Sequence, residues 1–271
     1  MGNYAKRLKN TLSSVIDEAA EHAELFVRNP GHDHTRKRKL DFIKTIRLIM
    51  AMGPKSLNHE LYQAFRKENT SVTASAFVQQ RDKIDAETFS FMMNAFNRRC
   101  SDTKLFMGRR LLAVDGTVVT YNGYEEDETY MKHIHANQYH VNALYDLMNK
   151  TYTDIFIQSN PQMNEQQAAW KMMERTPLSD SPILIGDRGY GGINLIEHIN
   201  RIQNADYLFR IKNNLWKELY DLPMRDLDID ITINLRTGQT NDDKEAFASG
   251  EAKWIPGHGK YKETKSQQMG F

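Results

Sequence analysis

The chain has 271 residues, 40% hydrophobic and 26% charged, enough apolar material for one large or two modest domains with cores of their own and too much for a disordered chain. No stretch approaches the roughly 18 uncharged apolar residues of a membrane-spanning helix, and the opening MGNYAKRLKN leads into no apolar signal core, so a soluble cytoplasmic protein with no membrane partner is expected. The formal net charge of +1 divides into +8 over residues 1–110 and −7 over residues 111–271, and a basic half suits a polyanionic partner.

Residues 1–100 carry helical periodicity. Leu8, Leu12, Val15, Ile16 and Ala19 share one face, and Asn29-Pro30-Gly31 is a stop signal. Leu40, Ile43, Ile46 and Ile49 mark a second helix that gives way at Gly53-Pro54, and Leu57, Leu61 and Phe65 mark a short third. Two more are predicted over residues 73–84 and 86–97, the latter capped by Asp85 with Phe89, Met92, Met93 and Phe96 inward.

Near Leu111 the pattern changes. Leu111-Leu112-Ala113-Val114 is an unbroken apolar run followed by Asp115-Gly116-Thr117, which predicts a buried strand ending at a turn. Strands over residues 139–145 and 152–158 are predicted to meet at Asn149-Lys150, followed by a helix over residues 165–174 with Ala168, Ala169 and Met172 inward. Ile183-Leu184-Ile185 reads as another buried strand, ending in Gly186-Asp187-Arg188-Gly189-Tyr190. A helix over residues 193–202, with Leu195, Ile196 and Ile199 inward, and a strand over residues 207–211 follow. From about residue 215 the sequence is polar. Ile229, Ile231, Ile233 and Leu235 alternate as a strand, Thr237-Gly238-Gln239 suits a turn, and in the closing GHGKYKETKSQQMGF neither a helix cap nor a core strand is legible. The predicted organisation is a helical unit over residues 1–105 and a mixed α/β unit over residues 106–271.

Two aspartates each follow an apolar run, Asp115 after LLAV and Asp187 after ILIG. If the two strands are neighbours, both carboxylates enter one crevice at the end of the sheet, where ligands of open α/β sheets bind. Hard oxygen ligands gathered there suit Mg²⁺ or Mn²⁺ and phosphodiester chemistry. Spacing alone leaves a second reading open, because an aspartate before glycine is also a common turn-former. Phosphatases of the haloacid-dehalogenase type also end a strand in Asp-Gly-Thr. They need a nucleophilic aspartate where this chain has Ala113, and a second one where it has Gly191.

AVDGT at residues 113–117 and DRGY at residues 187–190 resemble the first two acidic motifs of DDE transposases of the insertion sequence 4 family. HTRKRKL at residues 34–40, MGPKSLNHEL at 52–61 and TASAFVQQR at 73–81 resemble the helical N-terminal region of the same enzymes. The resemblance covers nearly the whole chain. It implies a ribonuclease H-like mixed sheet with flanking helices, preceded by an all-helical N-terminal domain and followed by part of a β-rich insertion that begins near residue 213. It also implies Mg²⁺ or Mn²⁺ held by Asp115 and Asp187, and cut-and-paste movement of DNA by a homo-oligomer on transposon ends and target, in the cytoplasm at the nucleoid.

The family's third ligand is a glutamate in a tyrosine, arginine, glutamate, lysine motif. Tyr207 and Arg210 have its first spacing, but Asn214 stands at the glutamate position and Asp221 at the lysine position. The expectation is therefore a chain that lacks the third carboxylate. Glu197 and Glu218 are the acidic residues weighed as substitutes, and a non-catalytic DNA-binding remnant that inhibits a full-length transposase is the competing reading.

Candidate DNA contacts are the basic run Arg36, Lys37, Arg38 and Lys39, for phosphates, and Gln79, Gln80 and Arg81 with Ser75, for base edges in a helix-turn-helix rhythm. Beside the second aspartate, Arg188 suits a phosphate near the scissile bond, and Tyr190 either stacks there or packs. His133, His135 and His140 have spacings that do not suit a helical zinc pair and read as loop and strand residues. Cys100, the single cysteine, can form neither an internal disulfide nor a cysteine-based zinc site.

Overall fold

A computed structural model describes residues 3–36, 38–68, 72–100, 104–176 and 180–211, short pieces between 219 and 234, and residues 266–270. The chain divides into two compact units, Met1–Asp102 and Thr103–Phe271.

The first unit is helical: α1 (Asn3–Glu21), α2 (Phe42–Ala51), α3 (Leu57–Phe65), α4 (Ala74–Arg81) and α5 (Glu87–Cys100). Val15, Ile16 and Ala19 of α1 are buried with Phe42 and Ile46 of α2 and Met92 and Ala95 of α5. Helix α1 stops well before Asn29-Pro30-Gly31. Its continuation is a 3₁₀ turn at Ala23–Leu25, after which Val27 bridges Ile84, with Arg28 N–H donating to the Lys83 carbonyl and Asp85 N–H to that of Phe26. Those bonds replace the helical ones. On α5 the buried stripe is Thr88, Met92 and Ala95. Of the four residues predicted inward, Met92 is fully buried and Phe96 packs at the edge of the cluster, where Phe91 takes the place given to Phe89 and Met93. Caps behave as their residue types dictate. Asp41 accepts the Lys44 N–H at 2.7 Å and Thr73 that of Ala76 at 3.2 Å.

The second unit is a mixed α/β fold. Its strands are β1 (Leu111–Asn122), β2 (Tyr130–Met131), β3 (Ala136–Asp146), β4 (Thr151–Ser159), β5 (Ile183–Gly186) and β6 (Asp206–Phe209), with α6 (Glu165–Arg175) between β4 and β5 and α7 (Ile193–Asn200) between β5 and β6. Across the sheet β4 and β2 both pair with β3, and the order continues β3, β1, β5, β6. Strand β3 is antiparallel to both β1 and β4, whereas β5 and β6 run parallel to β1. Strand β1 does not end at Asp115. Its ladder with β3 runs from Leu112 opposite Asp146 to Asn122 opposite Ala136. The apolar run marked only the part of the strand that is buried, and the ladder continues on exposed residues.

Leu112, Val114, Leu144 and Leu184 form one face of the sheet, packed with Ala169, Met172 and Met173 of α6 and Leu195 and Ile199 of α7. Beside this core His198 of α7 is 2% exposed and stacks on Trp170, ring centroids 4.2 Å apart. Burial first, then the Arg201 charge, pushes its imidazole down to about 4, against a weaker upward pull from Glu174. Folding therefore favours neutral His198. Its contribution to stability is complete above the unfolded value near 6.5 and is lost as pH falls from there toward about 4. Urea titrations of the whole chain between those limits should show stability declining with acid, and His198→Phe should flatten that slope; an unchanged slope would refute the assignment.

In the polar C-terminal part, β7 (Asp230–Asn234) pairs antiparallel with β8 (Ser266–Gly270). The closing segment thus does supply a strand, one that its polar residues did not announce. The Thr237-Gly238-Gln239 turn lies outside the described residues. Among the described residues no helix is long and apolar enough to cross a membrane.

Candidate active site

Strand β5 pairs with β1 over three residues, with Leu111, Leu112 and Ala113 opposite Ile183, Leu184 and Ile185. Asp115 and Asp187 each lie two residues past the last of these pairs, Asp115 still within β1 and Asp187 one residue beyond the end of β5. Both aspartates are exposed. Each carboxylate accepts from a nearby backbone N–H, Asp115 Oδ1 from that of Gly116 within β1 at 2.8 Å and Asp187 Oδ1 from that of Gly189 at 2.9 Å. Tyr190 then folds back over the end of β5. A Cβ at Gly186 would stand 2.9 Å from its ring, so only glycine allows this approach.

A third carboxylate enters from α6. Strand β4 ends level with Tyr139 of β3, itself opposite Val119 of β1, and the chain turns back there, so α6 begins beside the far half of β1. Asn164 caps the helix by accepting the Gln167 N–H at 2.9 Å, and Glu165 is its first residue. A Cβ on Gly116 would lie 3.1 Å from Glu165 Oε1, and one on Gly189 3.0 Å from Glu165 Oε2. The carboxylate thus lies between the two aspartate-bearing segments. His140 of β3, itself buried, sits 3.2 Å from Glu165 Oε1 through Nε2, and its Nδ1 has no partner among the described residues. The sequence reading placed Glu165 only at a helix start; the available signal was the Asn164 cap on the helix following the third long strand.

Tyr190 is 1% exposed and belongs to the core, so it packs and offers no face to DNA. Its hydroxyl is buried without a partner among the described residues. Burial first, then the charges of Glu165, Asp115 and Asp187, raise its pKa well above the usual tyrosine value. That order places the hydroxyl in the negative field of all three carboxylates.

Among the described residues no three His, Cys, Asp or Glu side chains are already gathered in metal-site geometry. Each carboxylate is turned onto a local donor instead, as like charges at close quarters require. The donors are nevertheless the all-oxygen set that Mg²⁺ or Mn²⁺ takes, and the glycines at positions 116 and 189 let the Glu165 carboxylate come close to both backbones, so the residues fit a divalent cation in kind. Glu197 lies on α7, where its charge acts on Tyr207 rather than on Tyr190. Glu218 lies outside the described residues. His133 and His135 stand in the exposed turn before β3, and His140 alone of the three meets a carboxylate of this site.

In the first unit a polar cavity of about 310 Å³ is lined by His34, Arg36, Arg38, Gln80 and Lys83, among others. It unites two segments that the sequence offered separately. His34 Nε2 lies 3.1 Å from the Gln80 carbonyl, and Lys83 pairs with Asp33 at 3.8 Å. Lys39 and Gln79 are exposed outside the cavity lining, and Arg81 is paired with Asp82 at 3.2 Å. Lys37 lies outside the described residues. A helix-turn-helix is not formed by α3 and α4, because residues 66–73 separate them where that motif has a turn of three or four. In the second unit Arg188 is exposed beside Asp187.

No curated protein matches the chain. The family profile described as the transposase DDE domain matches residues 107–265, a span of more than half the chain that contains Asp115, Glu165 and Asp187. The chain therefore belongs to the family of transposases that carry the DDE domain.

Proposed function

We propose that this chain works on DNA as a transposase of the insertion sequence 4 type, cutting and rejoining phosphodiester bonds with Mg²⁺ or Mn²⁺ at Asp115 and Asp187. The observation that supports the reading is the parallel pairing of β1 with β5, which leaves Asp115 two residues past Ala113 and Asp187 two residues past Ile185, the last paired residues. The order of the sheet, an antiparallel three-strand meander and then two strands parallel to the first with a helix before each, is compatible with a ribonuclease H-like domain and supports the reading. When bound, the ion supplies charge to activate an attacking oxygen and to stabilise a leaving one. The chain's own part is to hold the carboxylates in place and to lead the DNA to them, Arg188 meeting a phosphate beside Asp187. A homo-oligomer assembled on transposon ends, at the nucleoid, completes the proposal.

The helical unit supplies backbone affinity. Arg36 and Arg38 with Lys83 form a basic wall on a cavity large enough for a phosphate, while Lys37 and Lys39 extend the run and Gln79, Gln80 and Arg81 face bases. Arg38→Ala is expected to weaken binding to all duplexes alike and to reduce the slope of log affinity against log salt by about 1. A loss confined to one sequence in fluorescence-anisotropy titrations would contradict that role.

A second reading rests on one observation, the basic cavity of the helical unit, which needs no catalysis: a DNA-binding protein that occupies ends without cutting them. Duplexes from either side of the coding sequence, incubated with purified chain and Mn²⁺, separate the two. Metal-dependent nicking supports the transposase, binding alone supports the non-catalytic reading, and neither result would remove both.

A further inference from the structure

We propose that Glu165 is a metal ligand of this site, a carboxylate that joins Asp115 and Asp187. The inference rests on the metal centre proposed above.

Three independent features meet at this residue. The two oxygens of Glu165 reach opposite sides of the opening, Oε1 toward Gly116 beside the first aspartate and Oε2 toward Gly189 beside the second, each about 3 Å from where a Cβ would stand. A larger residue at either position would close that gap. Secondly, His140 holds the carboxylate from behind at 3.2 Å and is itself locked in the sheet, with its free Nδ1 buried. Histidine and carboxylate pairs of this kind fix the orientation of a ligand before the ion arrives. Thirdly, the Tyr190 hydroxyl is sealed from solvent without a partner among the described residues, and the charges acting on it are those of Glu165, Asp115 and Asp187. A buried hydroxyl in that position has a use once an ion or its water fills the space between the carboxylates.

The topology explains how Glu165 reaches so far. Strand β5 stops at Gly186, so beyond Val114 the edge of β1 that faced β5 has no partner among the described strands. The first turn of α6 stands beside that stretch. Glu165 therefore acts across the end of β5 and needs no part of the chain beyond residue 190 to join the two aspartates.

The test measures Mn²⁺ binding by electron paramagnetic resonance with the whole chain, comparing Glu165→Gln, Asp115→Asn and Glu197→Gln. Loss of an outer partner of a metal ligand costs roughly 10–100-fold in affinity, so Glu165→Gln should cost about tenfold or more, as Asp115→Asn does, with Glu197→Gln unchanged. Its melting temperature in EDTA should stay near that of the parent. If Glu165→Gln binds Mn²⁺ like the parent while Asp115→Asn does not, the inference is overturned and Glu165 serves only to hold His140. If the parent binds no Mn²⁺, the proposed metal centre falls with it. Should Glu165→Gln fail to fold, Glu165→Asp keeps the charge and withdraws it by one methylene. Weaker Mn²⁺ binding would then support the inference, and unchanged binding would overturn it.

Discussion

Asp115→Asn and Asp187→Asn are each expected to lower Mn²⁺-dependent nicking by at least about a hundredfold, because a reacting group misplaced by one lost ligand already costs that much. Asparagine is the informative replacement. Its carbonyl oxygen can still accept the Gly116 N–H, now at 2.8 Å, or the Gly189 N–H, now at 2.9 Å, so the backbone stays in place and only the charge for the cation is withdrawn. Both side chains are exposed, and neither change leaves a cavity. The melting temperature in EDTA should accordingly move little, and DNA binding by the helical unit should persist. Nicking that survives either substitution would show that the two strand-end aspartates are turn-formers and no more.

The second large effect concerns the strand that carries Asp187. Leu184 is 0% exposed, lies opposite Leu112 on one side and Tyr207 on the other, and packs under both helices of the second unit. Leu184→Ala should cost about 3–5 kcal/mol, the lost transfer energy plus a cavity that the paired strands cannot collapse around. For a unit of this size that is a fall of roughly 10 °C in its melting transition. Leu208, on the neighbouring strand and 63% exposed, provides the contrast. Leu208→Ala should change stability by under about 0.5 kcal/mol. Equal losses from the two substitutions in calorimetry would contradict the placement of the core on the α6 and α7 face.

What the sequence disclosed follows from what is buried. Leu112, Val114 and Leu184 stand in short apolar runs, so the central strands were legible, and the turn residues at positions 149 and 150 marked the hairpin between β3 and β4. The outer half of β1 was not legible. Its residues are mostly exposed on both faces, and pairing with β3 alone makes them a strand. Strand β8 was hidden because Ser266-Gln267-Gln268 offers no apolar alternation. At the site, Asp115 and Asp187 were visible because each follows a core strand, whereas Glu165 announces nothing locally. A glutamate at a helix start is ordinary, and its place beside Gly116 and Gly189 arises only when four strands and a helix have been laid in order. Tyr190 shows the converse. Its motif suggested a role on DNA, and the fold spends the ring on packing under Gly186.

The short parallel pairing of β1 with β5 carries one further consequence, for which changes of length such a protein can tolerate. Three residue pairs tie the strand bearing one acid to the strand bearing the other. A single insertion or deletion between Leu184 and Asp187 would slide the second carboxylate about 3.3 Å and turn it to the other face while Leu184 keeps its place in the core. Added residues in the hairpin turn at positions 147–150 or in the approach to α6 leave that ruler untouched. Within this chain the two acids can therefore vary freely in the length of what lies between their strands, and scarcely at all in the count of residues that leads from core to carboxylate.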